Sequence, residues 1–205
     1  MAWKESLIAH EDNHSRCGWC GLDPIYVTYH DTEWGVPEWD DRALFEKLLL
    51  DGFQAGLSWI TILKKRDAFR EAFDGLEPQI MARYDADKKA ELMQNAGIVR
   101  NRLKIEASVT NAQSYLEIQA NQGFSNYLWD FVDGAAIQNH FKNLSDVPVE
   151  TDLAKKISKD LKARGFRFVG PTIVYAFMEA VGMVNDHLVE CHRHDECAGL
   201  AKRAG

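Results

Sequence analysis

Apolar positions recur at three- and four-residue spacing through most of the chain, the periodicity of helices that bury one face. Asp40 or Asp41 can cap a helix carrying Leu44, Phe45, Leu48 and Leu49 on one side. After Gly56, the run SWITILKKRDAFREAF puts Trp59, Ile62, Leu63, Phe69 and Phe73 on one face, with Ser58 as its cap and Gly75 and Pro78 beyond its end. Further helices are predicted near 86–95, 99–121 and 124–132. Thr151 opens the amphipathic stretch TDLAKKISKDLKARG, which Gly165 should end, and Pro171 suits the first turn of a last long helix reaching Val181 before Gly182. Convincing period-two strands, internal repeats and long linkers are absent from the pattern. It predicts an all-α fold.

The length, 205 residues and 23.3 kDa, suits one domain or two intimately packed lobes. With 46% hydrophobic and 27% charged residues the chain reads as globular, which excludes disordered and collagen-like classes. The longest apolar-rich stretch, Phe166 to Met178, is interrupted by Arg167 and Pro171 and is too short to span a bilayer. The polar, acidic N-terminus resembles no secretory signal, so a cytoplasmic location is expected. The formal net charge of −7 disfavours indiscriminate nucleic-acid binding, but the charge is uneven. Residues 151–170 carry Lys155, Lys156, Lys159, Lys162, Arg164 and Arg167 against Asp152 and Asp160. Such a basic stripe suits either one DNA-facing surface or a solvated helix face.

All four cysteines lie near the chain ends, at 17, 20, 191 and 197, and His30, His187, His192 and His194 accompany them. In a cytosolic protein this clustering favours a metal over disulfides. HLVEC would place His187 and Cys191 at i and i+4 on one helical face, and Cys17 and His30 can supply the other half of a tetrahedral zinc site. Spacing alone leaves alternatives: Cys20 could replace His30, and His194 and Cys197 are late candidates. Two buried free cysteines with surface histidines would also explain the pattern.

A second group sets aromatics beside a carboxylate: Trp19, Tyr26, Tyr29, Trp34, Asp51 and Trp59. Aromatic faces near an anion suit an electron-poor or cationic planar ligand, although each Trp alone could simply be core. Glycines next to these aromatics in CGWC, YVTYHDTEWGVP and DGFQAGLSWITILKKR point to close backbone approach. A third feature, Lys162 to Thr172, joins two helices through a Gly-containing hairpin. Its backbone N–H groups, with Arg164, Arg167, Gly170 and Thr172 around them, could meet a phosphate. A generic helix–turn–helix connection fits those glycines equally well.

RCGW at 16–19, YHDTEWGVP at 29–37, QAGLSWITILKKR at 54–66, GFRFVGPT at 165–172 and VNDH at 184–187 together resemble the DNA-3-methyladenine glycosylase I family. That family is the zinc-containing branch of the helix-hairpin-helix DNA glycosylases. The resemblance runs from about Arg16 to about Cys191. It implies a helical glycosylase domain over 16–192 of two packed lobes closed by zinc, an N-terminal extension over 1–15 and a C-terminal tail over 193–205.

The resemblance also assigns roles. It implies one structural zinc on Cys17, His30, His187 and Cys191, leaving Cys20 a bystander. Base recognition and catalysis fall to Tyr29, Trp59 and the carboxylate at 51, with Trp19, Trp34 and Tyr26 as walls. The family commonly has Glu at this place, so Asp51 is a departure with one methylene less reach. The implied reaction flips a 3-methyladenine nucleotide out of alkylated double-stranded DNA and hydrolyses its glycosidic bond. Free 3-methyladenine and an abasic site are the products. Leu57, on the turn formed with Gln54 and Gly56, would fill the gap. GPTIVYAF contains no Lys, so no lyase step is expected, and the cysteines do not match an iron–sulfur set. Asp186 is read as a helix-capping residue or one supporting His187. A monomer without membrane association is expected. Two rivals are a zinc-stiffened DNA-binding module and a glycosylase for another alkylated base or bulky adduct.

Overall fold

A computed structural model describes residues 5–201. It begins with a small hairpin, β1 (Leu7–Ala9) against β2 (Ser15–Cys17), followed by α1 (Pro24–Thr32), α2 (Asp41–Gln54), α3 (Trp59–Leu63), α4 (Arg66–Ala72) and α5 (Pro78–Met81). The middle holds α6 (Ala86–Gln94), α7 (Arg102–Asn121) and α8 (Phe124–Trp129). The last part comprises β3 (Ile137–Gln138), α9 (Asp152–Ala163), α10 (Pro171–Ala180), β4 (Val184–Asn185) and α11 (Arg193–Gly199). The expected helical fold is present, with one correction: β1–β2 pair antiparallel and β3–β4 parallel. Segments of two or three residues are too short for alternation to show in the sequence.

The caps are local chemistry. Asp40 accepts from the amides of Arg42 and Ala43 at the start of α2, and Thr151 accepts from that of Ala154 at the start of α9. The helix predicted across 58–73 breaks into α3 and α4. At the break Lys64 pairs with Asp23 at 2.6 Å, while Lys65 reaches the carbonyls of Ala96 and Gly97. The two lysines are thus drawn to different neighbours.

One large core joins α2, α4, α7, α8, α9 and α10 through residues such as Phe45, Phe53, Phe73, Phe124, Ile157 and Phe177. A smaller cluster gathers Cys17, Tyr29, Trp34, Leu63, Ala180, Leu188 and Cys191. Both ends pack on the body: the Leu144 amide donates to Ser6 Oγ at 3.2 Å, and α11 buries His194 and Cys197. Residues 1–4 and 202–205, parts of the expected extension and tail, lie outside the described residues.

The turn between α9 and α10 is bracketed from two sides. Asn111 on α7 accepts from the Arg167 amide and donates to the Arg167 carbonyl, at 2.8 and 3.1 Å, and Ser158 donates to the Val169 carbonyl at 2.6 Å. Gly165 has φ +98°, and a Cβ there would lie 2.8 Å from Ser114 Oγ, so this corner requires glycine twice over.

Candidate active site and metal centre

Four buried side chains from both ends of the chain converge: Cys17, His30, His187 and Cys191, with all ligand atoms within 4.8 Å of one another. Cys191 Sγ lies 3.5 Å from His30 Nε2 and 3.5 Å from His187 Nδ1, and Cys17 Sγ lies 3.8 Å from His187 Nδ1. A tetrahedral ion with bonds of about 2.3 Å to sulfur and 2.0 Å to nitrogen separates S from N by about 3.5 Å. The group therefore has the dimensions of a metal site. Cys20, which instead approaches the Gly21 carbonyl, Cys197 and His194 lie outside it.

Outer contacts fix which ring nitrogens face inward. His30 Nδ1 lies 2.7 Å from Asp31, which Arg16 grips through Nε and Nη2, and His187 Nε2 lies 3.0 Å from the Trp34 carbonyl. Gly35 lets that ring approach: its φ is +79° and a Cβ would sit 2.8 Å from His187 Nε2. Residues 187–191 form a turn rather than the expected helical face, with the Cys191 amide donating to the Leu188 carbonyl. An ion pulling both side chains inward needs no helical spacing.

Beside this centre opens a cavity of about 340 Å³. Its walls come from α1, α2, α3, α10 and the loop before α9. Trp19, Tyr26, Tyr29, Trp34, Asp51, Gln54, Trp59 and Thr172, all singled out in the sequence, line it together. Trp19 meets Tyr26 and Trp34 edge-on at 5.1 and 4.9 Å between centroids, and Tyr29 lies 5.4 Å from Trp59. Burial, and then the nearby Asp51, hold the Tyr29 phenol well above its usual range, so it is a neutral hydrogen-bonding group.

The lining also holds residues that the sequence reading passed over. Lys47, one turn before Asp51 on α2, places Nζ 2.5 Å from Asp51 Oδ1 and 3.8 Å from the Trp59 ring centroid. Burial pushes the Lys47 ammonium down and the Asp51 carboxyl up, while their mutual attraction opposes both shifts. Asp51 Oδ2 and the indole N–H groups of Trp19 and Trp59 are buried without a partner among the described residues. Such atoms are costly unless a ligand or water meets them.

On α10, Tyr175 and Glu179 face the same cavity, one turn apart. Glu179 sits against Asp186, and burial followed by that neighbour raises its carboxyl well above the usual range. Asp186 accepts from Asn139 at 2.6 Å and from the Tyr175 hydroxyl at 2.7 Å. It lies in a loop after β4 and caps no helix, contrary to one of the two roles expected for it. The i, i+4 spacings of Lys47 with Asp51 and of Tyr175 with Glu179 were the available signal.

Of the residues expected to face DNA, Gln54 and Thr172 line the cavity, whereas Gly56, Leu57, Arg164, Arg167 and Gly170 lie outside it. Leu57 is 41% exposed on a turn where Gly56 has φ +82° and Gln54 Nε2 donates to the Leu57 carbonyl, so this leucine is not core. Lys104, buried, steadies the preceding helix end by donating to the Phe53 and Ala55 carbonyls at 2.8 and 2.6 Å. Arg164 and Arg167 are exposed on the hairpin. Arg164 is bound to Asp160 at 2.7 Å and lies over the Tyr127 ring, which offsets its charge. Gly170 leads into α10, and Thr172 stands in its first turn at the cavity.

The family described as methyladenine glycosylase matches residues 19–194. The chain is 48% identical to the DNA-3-methyladenine glycosylase of Haemophilus influenzae, over 86% of this chain and 96% of the relative. It is also 48% identical to DNA-3-methyladenine glycosylase 1 of Escherichia coli, over 86% of this chain and 95% of that one. Among solved structures, a crystal structure of 3-methyladenine DNA glycosylase I superposes with a TM-score of 0.86 at 46% identity, covering 87% of this chain and 99% of the other. A variant of such an enzyme in complex with 3-methyladenine superposes at 0.84 with 42% identity, covering 86% of this chain and 95% of that one.

Proposed function

The chain belongs to the methyladenine glycosylase family, and we propose that it excises 3-methyladenine from alkylated double-stranded DNA as a monofunctional hydrolase. The observation that carries this reading is the cavity: aromatic walls around one carboxylate oxygen and two indole N–H groups left without protein partners among the described residues. That lining suits a planar base which offers both a donor and an acceptor at its edges.

Methylation at N3 makes adenine a cationic leaving group, so its glycosidic bond is already weakened. The flipped base enters the cavity and stacks on Trp59, while Tyr29 and Asp51 meet its polar edge. The electron pair of the C1′–N9 bond leaves with the base, and water adds to the oxocarbenium-like sugar to give an abasic site. Burial and the neighbouring Asp186 raise the Glu179 carboxyl well above its usual range. Among the described residues the lining sets three carboxyl groups, Asp51, Glu179 and Asp186, against the one ammonium of Lys47, a balance that favours a cationic base. Among the described residues lining the cavity Lys47 is the one amine, and its Nζ is engaged with Asp51 and Trp59. A lyase step would need that amine free to attack the sugar.

Zinc suits the two thiols and two imidazoles, whose spacing matches its tetrahedral dimensions. Held by Cys17, His30, His187 and Cys191, it would neutralise the thiolates and tie the two chain ends beside the cavity. Four protein ligands leave no open position for catalysis. Among the described residues no helix is long and apolar enough to cross a membrane; the reading is a cytoplasmic, monomeric enzyme acting on the nucleoid.

Methylated duplex DNA incubated with the protein, with mass spectrometry of released bases, tests the proposal. Prompt 3-methyladenine with little 7-methylguanine is the expected result, and zinc-loaded protein that releases no base would overturn it. Leu57→Ala should slow excision from duplex DNA about tenfold, since an exposed wedge holds the gap open, and leave binding of free 3-methyladenine within twofold. Equal losses in both assays would instead make Leu57 a packing residue.

A further inference from the structure

We propose that Lys47 is a specificity-determining residue of the base cavity: its ammonium donates to purine N7 while Asp51 accepts from the exocyclic amino group at C6. The pair would then read adenine's acceptor–donor edge and refuse purines alkylated at N7. The inference rests on the glycosylase reading above and names how its cavity selects the lesion.

Three observations carry it. Lys47 Nζ and Asp51 Oδ1 are 2.5 Å apart, and Asp51 Oδ2 is buried without a partner among the described residues. An ammonium has three N–H donors: one meets Asp51, one faces the Trp59 ring, and the third remains for a ligand. The pair therefore presents one acceptor and one donor side by side within the cavity lining. The place of the ammonium over the indole is the third observation. Nζ stands over the Trp59 ring, 3.8 Å from its centroid, and a base stacked on an indole lies about 3.5–4 Å above it. A base offset-stacked on that face would therefore meet the ammonium at its edge, within reach of a ring nitrogen.

Purine chemistry supplies the selectivity. The edge of adenine formed by N7 and the amino group offers one acceptor and one donor, whereas guanine offers two acceptors, N7 and O6. Guanine would set O6 against the Asp51 carboxylate. Methylation at N7 puts a methyl group where Lys47 needs a lone pair and brings positive charge toward the ammonium. Methylation at N3 leaves the whole edge intact. A lysine present only to neutralise Asp51 would show no such dependence on N7.

The experiment uses the full chain loaded with metal and follows indole fluorescence on titration with 3-methyladenine and with its 7-deaza analogue, in which C–H replaces N7. Wild-type protein should bind the 7-deaza compound at least about tenfold more weakly, the worth of one hydrogen bond to a charged donor. Lys47→Met should bind the two compounds within twofold, and its ratio of 3-methyladenine to 7-methylguanine released from methylated DNA should fall about tenfold. Lys47→Arg, which keeps a donor, should retain part of the discrimination. Equal wild-type affinity for the two compounds would overturn the proposal even if Lys47→Met failed to fold, and so would undiminished discrimination in a folded Lys47→Met protein. Wild type that releases 3-methyladenine yet ignores N7 removes only the role of Lys47. Wild type that neither binds nor releases 3-methyladenine removes the glycosylase reading itself.

Discussion

Cys191→Ser protein is expected to lose its metal and to melt roughly 10 °C or more below wild type. Cys191 Sγ is central to the group, 3.5 Å from both imidazole nitrogens, and each of its neighbours is fully buried. A structural zinc contributes on the order of 10 kcal/mol in small domains, comparable to the whole stability of a typical protein, about 5–15 kcal/mol. Without the ion, Cys17 and His30 at one end lose their bond to His187 and Cys191 at the other. Asp31 and Arg16 would then orient a ring that binds nothing. Cys20→Ala is the control: Cys20 is equally buried but stands outside the group, so it should keep one metal per chain and lose only the packing of a small side chain. Metal content and melting temperature of the two variants decide the matter. A metal-loaded Cys191→Ser protein with wild-type melting would remove Cys191 from the ligand set.

Most helices and caps were legible because they are local, although Ser58 opens α3 without a cap bond to its backbone and meets Thr61 Oγ1 instead. Asp40, Thr151 and Pro171 act within a few residues of themselves, and the apolar spacing of α9 names its buried face, Ala154, Ile157, Ser158 and Leu161. What the pattern does not carry is long-range competition. Lys64 and Lys65 read as a continuing helix, yet partners at positions 23 and 96–97 divide it. The aromatic walls stood out because Trp and Tyr are conspicuous. Their charged companions did not: Lys47 and Glu179 sit in otherwise ordinary amphipathic helices, and only the packing of α2 against α10 turns both inward. His187 and Cys191 were found as a pair for the wrong local reason, since a turn, not a helix, joins them.

Asp51→Asn should slow single-turnover release of 3-methyladenine about 10²–10³-fold, the usual loss when one electrostatic contact to a transition state is removed. The side chain is 3% exposed, so water does not replace the lost charge. The change also strands Lys47, whose ammonium then faces the cavity without the carboxylate 2.5 Å away. An ammonium without its carboxylate repels a cationic base, so the substitution weakens the local field as well as turning one acceptor into a donor. Burial already pushes the Lys47 ammonium down, and part of that repulsion is relieved by loss of its proton. It follows that the two positions are coupled: the double variant Lys47→Met, Asp51→Asn should lose less than the product of the single losses. Asp51→Glu keeps the charge with one more methylene and should stay within about tenfold of wild type, a smaller loss than removal of the charge. Melting temperatures measured alongside separate these effects from unfolding, because breaking a buried ion pair is itself destabilising by about 3–5 kcal/mol. An Asp51→Asn protein that is folded and as fast as wild type would place the selecting charge elsewhere, and Glu179 would then be the next residue to change.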